Sequence, residues 1–153
     1  MRKFLIATLS AAALAGAALA HSHGAVAFDQ HIKPLMKQQC FMCHGPYSPD
    51  MERFDEAKAK YSAMLVGPRM YSYDELVDFV SGGDAGALMR RLDDGTNTSD
   101  GQPGNMYEYL GDTDEERAKN LELFKRWVGH WTLKRERELT DEDRKLFKVL
   151  ESR

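Results

Sequence analysis

The chain of 153 residues contains two cysteines, three positions apart, with a histidine directly after the second: Cys40, Phe41, Met42, Cys43, His44. Thiols at that spacing lie on one side of a helical turn, where both can form thioethers with the two vinyl groups of one haem; this is the c-type haem attachment signature. The imidazole in the next position projects under the ring, placed to bind the iron. Other chemistries fit less well. A thioredoxin-like pair belongs after a strand and at the start of a helix, a pattern absent around residue 40. A structural zinc site needs about four ligands, and no second Cys/His pair stands at ligand spacing. A disulfide over two intervening residues would constrain little of the unfolded chain. The expected cofactor is therefore one covalent haem c on Cys40 and Cys43, with His44 as its proximal iron ligand.

That cofactor is attached outside the cytoplasm, and the N-terminus reads accordingly. Arg2 and Lys3 precede an apolar run from Phe4 to about Ala15, followed by small residues up to Ala18, Leu19 and Ala20. Residues 1–20 are expected to be a signal peptide cleaved after Ala20, giving an exported, periplasmic product. The mature part, His21 to Arg153, carries 19 basic and 24 acidic side chains, and no run in it approaches the length of a membrane span. About 38% of it is apolar. So small a core invites a haem at its centre.

The elements that must position the motif are helical. After a lead-in over residues 21–27, Phe28, Ile32, Leu35 and Met36 recur at helical spacing up to Cys40, with Pro34 tolerable only in a first turn or at a bend. Ser48 and Pro49 are expected to open a helix over roughly 50–65 with Phe54, Tyr61, Met64 and Leu65 on one face. A capping box from Ser72 to Glu75 starts a short helix, Gly82 and Gly83 stop it, and Asp84 is expected to cap another through Leu92. From Asp93 to Gly104 no large apolar residue occurs, so this loop must fold against something or stay mobile. A second capping box, Thr113 to Glu116, starts a long helix with Leu121, Phe124, Val128 and Trp131 at three- and four-residue steps. Thr140 is expected to cap a last amphipathic helix presenting Leu146, Phe147 and Leu150. No segment alternates convincingly at period two, so the fold class is all-α.

In this order of elements the chain resembles the class I, monohaem cytochrome c family from about Phe28 to Trp131, leaving residues 132–153 as a C-terminal helical extension. The resemblance implies a bundle of short helices around one haem, with that extra helix, and a loop methionine as distal ligand just ahead of the last core helix. Met106, after Pro103 and Gly104, stands in that place; Met70, Met89 and His130 are the alternatives. The family also has a proline carbonyl that accepts the proximal imidazole's N–H. Pro46 comes early for this role and Pro68 late, and Pro68 is favoured.

Several other residues have two readings. Tyr107, Tyr109, Trp127 and Trp131 suit either a haem crevice or ordinary packing, and Arg90 and Arg91 either haem propionates or a solvated face. After cleavage at Ala20, His21 and His23 would present a chelate for Cu(II) or Ni(II). Residues 29–116 carry a net charge of −9 and residues 117–153 a net charge of +4, which suits orientation on a basic redox partner and argues against nucleic acid. The expected function is a single-electron carrier between redox partner proteins, with no catalytic residues. Two alternatives are a haem-based sensor with a labile sixth ligand and a subunit docked to a larger oxidoreductase through its tail.

Overall fold

Pro34 shapes the first element. It has no N–H to donate, and the turn before it, Phe28–Ile32, is wound as a π-helix in which the Lys33 N–H reaches back to the Phe28 carbonyl. The computed structural model describes residues 25–150; the expected signal peptide and cleavage site, and His21 and His23, lie outside them. Helix α1 (Lys33–Gln39) follows with Pro34 in its first turn. The chain then bends at Cys40 (φ −118°) and enters α2 (Phe41–His44), so the attachment motif forms a turn of its own, with the His44 N–H donating to the Cys40 carbonyl at 3.0 Å.

The helix expected over 50–65 is two: α3 (Met51–Glu56) and α4 (Lys58–Ala63), separated at Ala57 (φ −134°, ψ 35°). Phe54 is buried and stacks on Tyr61 at 6.1 Å, but Met64 and Leu65 are exposed, so the apolar stripe ends with the first helix and a half. Asp50, not Ser48, caps α3 by accepting from the Arg53 N–H, because Ser48 is engaged with the Cys43 carbonyl. Helix α5 (Tyr73–Ser81) has the capping box expected of Ser72 and Glu75. Helix α6 (Ala87–Leu92) starts from Gly86 in place of Asp84, whose carboxylate lies 3.6 Å from Arg90. A 3-10 turn at Tyr107–Leu110 leads to α7 (Asp114–Val128), capped by Thr113 and Glu116 as expected. It ends before Gly129, leaving His130 and Trp131 beyond the helix.

The tail is part of the core. A 3-10 turn (Glu136–Glu138), α8 (Asp141–Lys145) and a last 3-10 turn (Lys148–Leu150) bring Phe147 and Val149 fully inside. α7 packs on the Phe28–Ile32 turn on one side and on the last turn on the other. The expected single amphipathic face does not form: α8 is short, Phe147 points in and Leu146 is exposed. Asp143 joins this tail to the rest. Its carboxylate accepts from Lys134, His130 and both the N–H and hydroxyl of Thr140, at 2.7 to 3.0 Å. Arg90 adds donations to the Leu133 and Lys134 carbonyls, which accounts for it as a fastener of the tail. Among the described residues there is no strand, and no helix is long and apolar enough to cross a membrane.

Candidate haem centre

Cys40 and Cys43 sit half-buried at the two ends of the turn that bends away from α1, while Met42 between them is almost fully exposed. Both thiols therefore share one side of the turn, the arrangement that two thioethers to one flat ring require. Burial, with a smaller push from Cys43, raises the Cys40 thiol to about 12.

His44 is held from behind by a loop twenty-four residues later in the chain. Its Nδ1 lies 2.7 Å from the Pro68 carbonyl oxygen. A carbonyl oxygen can only accept, so Nδ1 carries the proton and Nε2 keeps its lone pair for a metal. The loop itself is tied to the motif through backbone groups: Gly67 N–H donates to the Cys43 carbonyl at 2.9 Å and Met70 N–H to the His44 carbonyl at 3.0 Å. The Ser48 hydroxyl adds a second donation to Cys43, at 2.9 Å. Gly67 lies so close to the imidazole that a Cβ there would land on the ring. Burial pulls the His44 pKa below the usual histidine range; the Pro68 bond works against this and the nearby Arg91 charge adds to it. The neutral ring is the form that binds iron.

Met106 is half-buried against the core, at the end of the turn-rich loop. Its N–H donates to the Arg91 carbonyl at 2.9 Å, and Arg91 in turn reaches the Asn105 side chain at 3.0 Å. The Arg91 charge thus acts on the His44 ring while its side chain holds the residue beside Met106. The alternatives lie as follows. Met89 is fully buried in the core, His130 bonds Asp143 and packs on Phe147, and the Met70 backbone belongs to the loop behind His44. Of the aromatic residues, Trp127 is a core residue beside Phe28 and Tyr73, Tyr109 is exposed, and Trp131 donates its indole N–H to Asp93.

The sequence reading missed Asp93. It closes an otherwise polar loop as a fully buried carboxylate, accepting from the N–H of Gly95 and Asn97, the Asn97 amide and the Trp131 indole at 2.8 to 3.1 Å. Burial opposes its ionisation, but those bonds outweigh it and hold its pKa below the usual carboxylate range. The sequence signal was faint: an Asp at a helix C-terminus followed by Gly two residues on.

The donor set matches what a c-type haem needs: two thiols on one side of a turn and an imidazole whose Nε2 is freed by a bond at Nδ1. The comparisons agree. A family model described as PccH Cytochrome c matches residues 27–149, so the match runs through the tail as well as the elements around the motif. The solved structure of the monohaem cytochrome PccH from Geobacter sulfurreducens matches with a TM-score of 0.77 at 43% identity, over 82% of this chain and 98% of that one. No sequence among curated proteins matches the chain.

Proposed function

The chain belongs to the PccH cytochrome c family, and from that premise we propose that it is an exported monohaem electron carrier whose iron is held between His44 and Met106. It carries one covalent c-type haem, which Cys40 and Cys43 anchor. When bound, that group supplies a one-electron Fe(III)/Fe(II) couple. Everything else falls to the protein. Pro68 fixes the His44 tautomer and ring orientation, which raises the basicity of Nε2. Gly67 holds the ring in place by contact. Met106 offers a soft, neutral thioether, which favours the reduced iron more than a second nitrogen ligand would. With His44 and Met106 both holding the iron no site would be left for a substrate, which fits an electron-transfer protein.

The observation that carries this reading is the 2.7 Å bond from His44 Nδ1 to Pro68. It gives the histidine after the second cysteine the backing that an iron ligand needs. The acidic region around the motif, net −9 over residues 29–116, fits a transient encounter with a basic redox partner in the periplasm. A tail acting as a permanent dock is disfavoured, since Phe147 and Val149 are buried in the chain's own core.

A redox-titrated absorption spectrum of the mature protein tests the proposal. The expected result is a haem that survives denaturation, a methionine-to-iron charge-transfer band in the ferric form, and loss of that band in Met106→Ala. Prompt uptake of carbon monoxide by the reduced parent protein would instead mark a labile sixth ligand, and with it the sensor reading.

A further inference from the structure

The loop from Asp93 to Met106 has almost nothing apolar to bury, yet it is ordered, so hydrogen bonds must supply its order. They converge on one residue. The Asp93 side chain takes Gly95 and Asn97 at the start of the loop, and its backbone carbonyl takes the Gly104 N–H at 2.8 Å at the end. Two residues on, Met106 is fixed to the Arg91 carbonyl, and Gly104 rests against the Arg90 and Arg91 carbonyls so tightly that a Cβ would collide with them. The remaining Asp93 partner, Trp131, comes from beyond α7, and Lys125 of α7 links the same two parts: it lies 3.6 Å from Asp94 and over the Trp131 ring.

We propose that Asp93 and Trp131 are positioning residues for the distal ligand: one buried carboxylate, braced by an indole from the start of the tail, pins the start of the loop and fixes the residue whose backbone carbonyl holds its end, and so keeps Met106 presented to the iron. A carboxylate fully removed from water is costly unless its oxygens are saturated with donors, and here four neutral donors saturate it. Its presence makes sense if what it organises must not drift. A thioether is a weak ligand, displaced whenever its loop opens, so the opening frequency of residues 94–105 sets how easily an outside ligand reaches the metal. The inference rests on the reading of Met106 as the sixth ligand.

The test uses ferric holoprotein and follows the methionine charge-transfer band while imidazole is added. Asp93→Asn and Trp131→Phe are expected to take up imidazole at least about tenfold faster than the parent, the factor that loss of one hydrogen bond to a carboxylate corresponds to. Asp143→Asn, which breaks the equivalent hub in the tail, is expected to lower the melting temperature without changing that rate. Parental rates in both loop variants overturn the proposal. So does an equal acceleration in Asp143→Asn, which would mean general loosening. If Asp93→Asn does not fold, Trp131→Phe decides alone, since it keeps both the carboxylate and an aromatic ring. Retention of the band in Met106→Ala defeats the ligand reading itself, whatever the rates.

Discussion

Residues 43–70 hold one side of His44 through the backbone: the Pro68 carbonyl on Nδ1, Gly67 against the ring, and amides of the loop donating to the Cys43 and His44 carbonyls. Residues 93–106 are held at their end by backbone bonds to the Asp93 and Arg91 carbonyls but at their start by a side chain, with Asp93 gathering donors from the loop and from Trp131. A backbone-built side depends on few residue identities, but where it depends on one it allows no substitute, because the constraint is space. A carboxylate-built side is adjustable in strength, and it titrates. On the proposed ligation, the side that carries His44 is thus the stiff one, and the side that carries Met106 is the one expected to open locally without unfolding the rest.

The largest expected effect breaks the stiff side. In Gly67→Ala the new methyl occupies the space of the imidazole ring, so His44 must turn away from Pro68 or the loop must retreat. Overpacking of this kind costs about 1–3 kcal/mol or more, and the variant should melt roughly 10 °C lower or fail to retain an iron–histidine bond. Thermal melts and the reduced spectrum check this.

Acid should separate the two sides next. Asp93 and Asp143 have pKa values held below the usual carboxylate value, so each stabilises the folded state at pH above about 4. That stability is lost as pH falls further toward their folded pKa values. Protection of the amides of residues 95–104 and of the tail, relative to their intrinsic exchange rates, should therefore fall on acidification below about pH 4. The Gly67 and Met70 amides, bound to carbonyls that do not titrate, should stay protected until global unfolding.

A milder version of the same contrast is Asn97→Ala, which removes one of the four donations to Asp93 while sparing the backbone one from residue 97. The expected cost is about 1.5–3 kcal/mol felt in the loop, seen as faster exchange of residues 95–104 with little change in melting temperature. The smallest effect has the opposite sign. Leu65, exposed at the turn before Gly67, has φ 56°, in the left-handed region that a branched side chain disfavours. Leu65→Gly should stabilise the protein by about 1 kcal/mol, measured by denaturant unfolding.

The site's two halves were unequally legible in the sequence. Cys40, Cys43 and His44 stood out as the candidate attachment site because covalent attachment needs residue types at a fixed local spacing, and the capping boxes at Ser72 and Thr113 were readable for the same reason. The break at Ala57 was not, since nothing in residues 50–65 forbids a continuous helix and the stripe simply runs out after Tyr61. The tail misled: Leu146 and Phe147 are adjacent in sequence, but the core takes Phe147 and leaves Leu146 outside.

By itself, the sequence determined the chemistry of the centre and the all-helical character of the chain, since both follow from local pattern: ligand spacing in one case, periodicity and caps in the other. The tertiary structure decided which proline backs His44, that Arg90 fastens the tail, and that Asp93, unremarkable in a polar stretch, lies at zero exposure among four donors. The His44–Pro68, Asp93–Trp131 and Arg90–tail contacts join residues from 24 to 44 positions apart. Chain separation of that size is fixed only when the helices pack, which is why local pattern could not reveal it.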